Sequence, residues 1–140
     1  SKFEEYDLYV RNKSFLLSDH IITFTDTDGK LMALKPDGVF LSDGPGNPDD
    51  VPAAVELVKS LRGKCPICGE GLGHQLMAIA SGAKIERLPF GHRGSNHPVK
   101  ILSTGKIEIT SQFHGFVVDQ ASLENTSLSV THTCVVDGSV

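Results

Sequence analysis

The stretch Pro66-Ile67-Cys68-Gly69-Glu70-Gly71-Leu72-Gly73-His74-Gln75-Leu76 constrains the fold more than any other part of the sequence. It reads as a short buried strand, a glycine-rich turn and the first turn of a helix, the order that builds a nucleophile elbow. Gly69 and Gly73 stand two residues either side of the centre and let strand and helix pack closely. The first helical amide, on Leu72, has no acceptor inside the helix and is free to face an anion. The centre itself is Gly71. A serine or cysteine there would sit at the positive end of the helix dipole, where a thiolate is stabilised. Glycine offers nothing to react, so the sequence has the scaffold of an acyl-transfer site without its nucleophile.

Size and charge narrow the setting of this elbow. The 140 residues, 39% of them hydrophobic and 21% charged, suit one soluble domain with a core. A formal charge of −4 gives no basic field, so nucleic acid is not an expected partner. No apolar run reaches the roughly 18 residues of a membrane span. The start, Ser1-Lys2-Phe3-Glu4-Glu5, has neither the basic nor the apolar region of a signal peptide, and the expected location is cytoplasmic. Three cysteines, Cys65, Cys68 and Cys134, are too few and too uneven for a disulfide framework, in keeping with a reducing compartment.

Residues 1–34 carry only short mixed runs, Tyr6-Asp7-Leu8-Tyr9-Val10 and Ser14-Phe15-Leu16-Leu17 among them. Residues 20–24 read as a strand, 25–29 as a turn and 30–34 as one helical turn. This part is expected to be a degenerate first segment of the domain that continues over 35–140. Val39-Phe40-Leu41, bounded by glycines, reads as a buried parallel strand with the loop Gly44-Pro45-Gly46 at its carboxyl end, the edge where open α/β sheets bind ligands. Asp49-Asp50 is expected to cap a helix that buries Val51, Ala54, Val55, Val58 and Leu61 and stops before Gly63. Cys65 and Cys68 have Cys-x-x-Cys spacing, but on a strand they point to opposite faces, which argues against zinc or redox chemistry. The helix after the elbow is expected over 72–81, with Leu76, Ile79 and Ala80 buried and Gly82 at its end. Beyond residue 84 short strands are expected at 84–88, 99–102, 107–111, 116–118, 128–132 and 134–136, as antiparallel additions to a parallel core. His92, His97 and His114 lack metal-ligand spacing in sequence and read as loop histidines in turn-forming hydrogen bonds unless the fold brings them together.

Several of these motifs together resemble one family. Gly69 to Gln75 is similar to the Gly-x-Cys-x-Gly-His-Gln signature of class I glutamine amidotransferases, with Gly71 where the family has its catalytic cysteine. The resemblance continues in Gly38-Val39-Phe40-Leu41-Ser42-Asp43-Gly44-Pro45-Gly46-Asn47-Pro48, in Phe90-Gly91-His92-Arg93-Gly94-Ser95-Asn96-His97-Pro98-Val99 and in Thr110-Ser111-Gln112-Phe113-His114-Gly115-Phe116-Val117-Val118-Asp119. Jointly they resemble the glutaminase domain of the small chain of carbamoyl phosphate synthetases.

The resemblance implies a flavodoxin-like α/β fold, incomplete at both ends, with a parallel core sheet and added antiparallel strands. It implies that Gly44 and Leu72 supply oxyanion amides. It implies that Gly46, Gln75, Gly115 and Phe116 contact substrate glutamine while His74 braces the turn. The family usually has asparagine where this chain has Phe113. The family's catalytic histidine and glutamate lie in a Gly-His-Pro-Glu type motif downstream of residue 140; Asn96-His97-Pro98 only mimics it, with Val99 where the carboxylate belongs. The resulting expectation is a glutaminase-type domain that supplies ammonia for carbamoyl phosphate in its relatives and is itself catalytically defective. L-glutamine and a synthetase large subunit are the implied partners, and no cofactor or metal is expected. A noncatalytic glutamine-binding or regulatory subunit and a nonfunctional gene fragment are the alternatives.

Overall fold

The computed structural model describes residues 7–11, 19–23, 30–33 and 35–140. The run at residues 14–17 and the turn at residues 25–29 lie outside the described residues. The chain divides into two compact units, Ser1–Ala80 and Ser81–Val140.

The first unit is built on a four-stranded sheet in the order β2-β1-β3-β4, formed by β1 (Asp7–Arg11), β2 (Asp19–Thr23), β3 (Gly38–Leu41) and β4 (Ile67–Gly69). β1 runs antiparallel to both β2 and β3, while β3 and β4 are parallel, with Phe40 opposite Cys68. The weakly patterned first segment therefore supplies two strands and the short helix α1 (Lys30–Ala33) to this unit. A parallel pair needs a crossover, and α2 (Pro52–Leu61) provides it. Its buried residues Ala54, Val55, Val58 and Leu61, with Val51 just before it, recur at helical spacing as expected.

The expected cap is displaced. Asp49 and Asp50 belong to a single 3-10 turn, Pro48–Asp50, whose Asn47 side chain accepts from the Asp49 amide at 3.1 Å. α2 then starts at Pro52 behind Val51, with no side-chain cap, because proline at the first position has no amide to satisfy. The second helix of the sheet, α3 (Leu72–Ala80), follows β4 directly. Leu31, Val39, Leu41, Val58, Leu61, Leu72 and Leu76 form one apolar cluster between these helices and the sheet. Leu41, Leu61 and Leu76 are fully buried, each contributing about 1.5–3 kcal/mol by removal from water.

The second unit is a long hairpin of β5 (Ile85–Ile101) and β6 (Ile107–Val118), with β7 (His132–Cys134) on the other edge of β5. The antiparallel strands beyond residue 84 thus form a sheet of their own. The separate short strands expected at 84–88 and 99–102 are one continuous strand, bent by register shifts between Arg87 and His92 and between Gly94 and His97. Residues 128–131 are not in a strand, and 135–137 form a turn that returns the chain toward Cys134. A 3-10 segment, Gln120–Asn125, is capped by Asp119, whose side chain accepts from the Ala121 amide at 3.0 Å.

Candidate functional site

The elbow is held by its own backbone. The Glu70 amide donates to the Leu41 carbonyl at 3.0 Å, the Gly73 amide to the Glu70 carbonyl at 2.8 Å and the Gln75 amide to the Gly71 carbonyl at 3.1 Å. Gly71 takes φ +51, the left-handed conformation that a side chain at an elbow centre holds only under strain. A Cβ on Gly69 would lie 2.6 Å from the Gly73 carbonyl carbon, and one on Gly73 would lie 2.6 Å from Leu41 Cβ and strike the Leu41 carbonyl oxygen. Both flanking glycines are therefore required for helix α3 to pass this close to β3 and β4.

What faces the elbow is a carboxylate. Asp43, two residues past the end of β3, accepts at Oδ1 from the Gly44 amide at 2.8 Å and from the Leu72 amide at 2.8 Å. Leu72 is the first residue of α3, so its amide has no intrahelical acceptor and lies at the positive end of the helix. The two amides singled out in the sequence thus converge on one oxygen atom, and that oxygen belongs to the chain. A Cβ built on Gly71 would overlap the Asp43 carboxyl group. Sequence reasoning missed Asp43; the available signal was an acidic residue immediately before a glycine loop at the carboxyl end of a parallel strand.

The other expected site residues are placed as follows. Gln75 lies in the first turn of α3 and is 7% exposed, while the adjacent His74 is exposed. Gly46 has φ +105 in the loop after β3. Gly115 and Phe116 are half-buried on β6, in the second unit, where Phe116 pairs with Arg87. Phe113 is 66% exposed. Cys65 is half-buried and packs against the core of the first unit, which pushes its thiol above the ordinary value, whereas Cys68 is exposed.

The fold does bring the histidines of the second unit together. His92 pairs with His114 and His97 with Thr110 across β5 and β6. The His92 ring stacks on His97 and meets His114 edge-on, with centroids 4.9 Å apart in both cases. His92 Nδ1 lies 2.7 Å from Gln112 Oε1 and its Nε2 lies 2.8 Å from Asp137 Oδ2. His114 bridges the Phe116 carbonyl at 3.0 Å and Gln112 Oε1 at 3.0 Å. Burial pushes His114 below its ordinary value, against the opposing pull of the Phe116 carbonyl. For Asp137 burial acts upward, but hydrogen bonds from the Ser139 hydroxyl and amide and from His92 prevail and bring it to about 2. The strand reads Thr110-x-Gln112-x-His114, a polar alternation that turns these three side chains to one face while Ile107, Ile109 and Phe113 are exposed.

Residues 8–140 match the family described as glutamine amidotransferase class-I. Over 120 residues the chain is 52% identical to the carbamoyl phosphate synthase small chain of Bacillus cereus (strain ATCC 10987 / NRS 248), covering 86% of this chain and 33% of that protein. It is 54% identical over 120 residues to the carbamoyl phosphate synthase pyrimidine-specific small chain of Halalkalibacterium halodurans, and 50% identical to that of Bacillus subtilis (strain 168). The chain spans about a third of the length of the curated relatives it matches. Among the described residues no helix is long and apolar enough to cross a membrane.

Proposed function

The chain belongs to the class I glutamine amidotransferase family, and from that premise we propose that it is a glutaminase-type domain whose hydrolytic site is closed. By its similarity to carbamoyl phosphate synthase small chains, the ligand class is L-glutamine and the partner is a synthetase large subunit. The pathway is pyrimidine synthesis, by the names of two of those relatives. The setting is the cytoplasm, in keeping with three free cysteines.

One observation carries the closed site. Acyl transfer needs a nucleophile and amides about 2.7–3.1 Å from the oxygen on which negative charge develops. Here both Gly44 and Leu72 amides stand 2.8 Å from Asp43 Oδ1, so the chain's own carboxylate takes the position of that oxygen. Gly71 adds no reacting atom, and the space its side chain would need is filled by Asp43. The same carboxylate opposes a substrate oxygen at those amides, so glutamine binds weakly and holds chiefly through other groups, Gln75 and the loop around Gly46 among them.

The test pairs calorimetry with ammonia release for the unmodified chain, Asp43→Ala and Gln75→Ala. No ammonia is expected from any of them. Asp43→Ala is expected to bind glutamine more tightly and Gln75→Ala less tightly than the unmodified chain. Ammonia release by the unmodified chain, or glutamine affinity indifferent to Asp43→Ala, contradicts the proposal.

A further inference from the structure

The second unit holds a group of side chains that the glutaminase reading leaves without a task. A His92 ring nitrogen, Cys134 Sγ and an Asp137 carboxylate oxygen lie within 4.8 Å of one another. They come from two separate stretches. His92 is on β5 beside its first register shift, and Cys134 ends β7, opposite Val99 of the same strand. Asp137 is returned to Cys134 by the following turn, which the Gly138 amide closes on the Cys134 carbonyl at 2.9 Å and the Cys134 amide on the Ser139 carbonyl at 2.8 Å. His92 and Cys134 are 6% and 4% exposed, and Asp137 faces solvent.

The hydrogen bonds around His92 decide which of its nitrogens is available. Thr110 Oγ1 gives its proton to the His97 carbonyl at 3.0 Å and so accepts from Gln112 Nε2 at 3.1 Å. That turns Gln112 Oε1 toward His92, where it accepts from Nδ1–H at 2.7 Å. The second nitrogen, Nε2, faces the Asp137 carboxylate at 2.8 Å, and a proton on Nε2 makes that contact where no metal ion is bound. Metal-bound histidines have this pattern: one ring nitrogen donates to a fixed acceptor and the other binds the ion. A buried thiol beside that pair completes a nitrogen, sulfur and oxygen set.

We propose that His92, Cys134 and Asp137 bind a divalent transition-metal ion of the zinc class, which staples the turn after β7 to strand β5. Imidazole, thiolate and carboxylate together suit zinc, and bonds of 2.0–2.3 Å would set its ligand atoms roughly 3.3–3.8 Å apart in a tetrahedron. The 4.8 Å limit on the present separations requires only side-chain closure, with the His92–Asp137 contact opening and Cys134 drawing in. A dication with one thiolate and one carboxylate is neutral overall, which fits a site whose His and Cys are buried. Binding replaces the Cys134 thiol proton and the proton between His92 Nε2 and Asp137, and both leave to solvent. The solvent side, where Asp137 is exposed, leaves the fourth position to water. Gln112 acts as a positioning residue through His92 Nδ1.

Cobalt(II) titration of the full chain under reducing conditions tests the site, followed by displacement with zinc. The expected result is one equivalent of cobalt with a thiolate-to-cobalt charge-transfer band that zinc abolishes. The band is lost in Cys134→Ser and kept in the Cys65→Ser/Cys68→Ser double variant, which separates this site from the Cys-x-x-Cys pair. Asp137→Asn, on the exposed side, weakens zinc at least tenfold in competition with a chelator, and Gln112→Leu weakens it about 10–100-fold, as loss of a ligand's supporting hydrogen bond does. Absence of the band in the unmodified chain overturns the proposal. So does a band that survives Cys134→Ser. Should Cys134→Ser fail to fold, Asp137→Asn decides, and unchanged zinc affinity in that variant overturns the site.

Discussion

The contact between the Gly71 position and Asp43 makes a quantitative prediction for a double-mutant cycle. Alanine at φ +51 costs about 1–2 kcal/mol for the left-handed backbone alone. Its Cβ also displaces the Asp43 carboxylate, which forfeits the bonds to Gly44 and Leu72 amides. Hydrogen bonds to a charged group are worth about 1.5–3 kcal/mol each when buried, and with Asp43 exposed to solvent the pair is discounted to about 2 kcal/mol. Gly71→Ala should therefore cost about 3–4 kcal/mol in the unmodified chain. In an Asp43→Ala background the bonds are already gone and the overlap with the carboxyl group is removed, leaving a 2.9 Å approach of the two Cβ atoms that a small backbone shift relieves, so the same change should cost about 1–2 kcal/mol. Urea unfolding followed by far-ultraviolet circular dichroism reads the difference: at an m of about 2 kcal/mol/M, a coupling of about 2 kcal/mol is about 1 M in midpoint. Costs that add to within about 0.5 kcal/mol would refute the reasoning, because independent sites behave that way.

Other consequences follow from single contacts. Gly73→Ala sets a Cβ against the Leu41 backbone, with no flexible side-chain end to yield, and should leave the first unit without a cooperative unfolding transition; a normal melt would mean α3 can move off β3. Asn47→Ala removes the acceptor for the Asp49 amide and should lower stability by about 1 kcal/mol in urea unfolding, whereas no change would show that the 3-10 turn is held by Pro48 alone. Because burial raises the Cys65 thiol, less of it is thiolate at pH 8, so iodoacetamide mass spectrometry should find exposed Cys68 modified first. The Cys65 rate should climb as pH rises through its raised value, and equal rates at pH 8 would contradict that burial.

The strand, elbow and helix around Gly71 were legible in the sequence because local rules specify them. Glycine spacing gave the turn, apolar spacing gave α2 and α3, and the orphan amide of Leu72 followed from helix geometry. Asp43 was not legible, since its role depends on β3 and β4 lying side by side and bringing residues 29 apart within 2.8 Å. The register of β5 and β6 was hidden for a related reason. Two bulges interrupt the alternation, so a 17-residue strand reads as separate pieces with loops between them. His92 and Asp137, 45 residues apart, meet only once that hairpin and the turn after β7 are formed. The alternation Thr110-x-Gln112-x-His114 was the one local sign that the inner face of β6 is polar.

Hydrogen exchange at the Leu72 amide tests the central claim most directly, because the first amide of a helix has no acceptor within the helix and Asp43 is the partner that protects it. In the unmodified chain this amide should exchange slowly, at rates comparable to the interior of α3. In Asp43→Ala it should accelerate at least tenfold, about 1.4 kcal/mol of lost protection, while amides later in the helix change little. Fast exchange in the unmodified chain, or equal protection in the variant, would mean that the carboxylate does not hold the amides beside Gly71 and that the site is open.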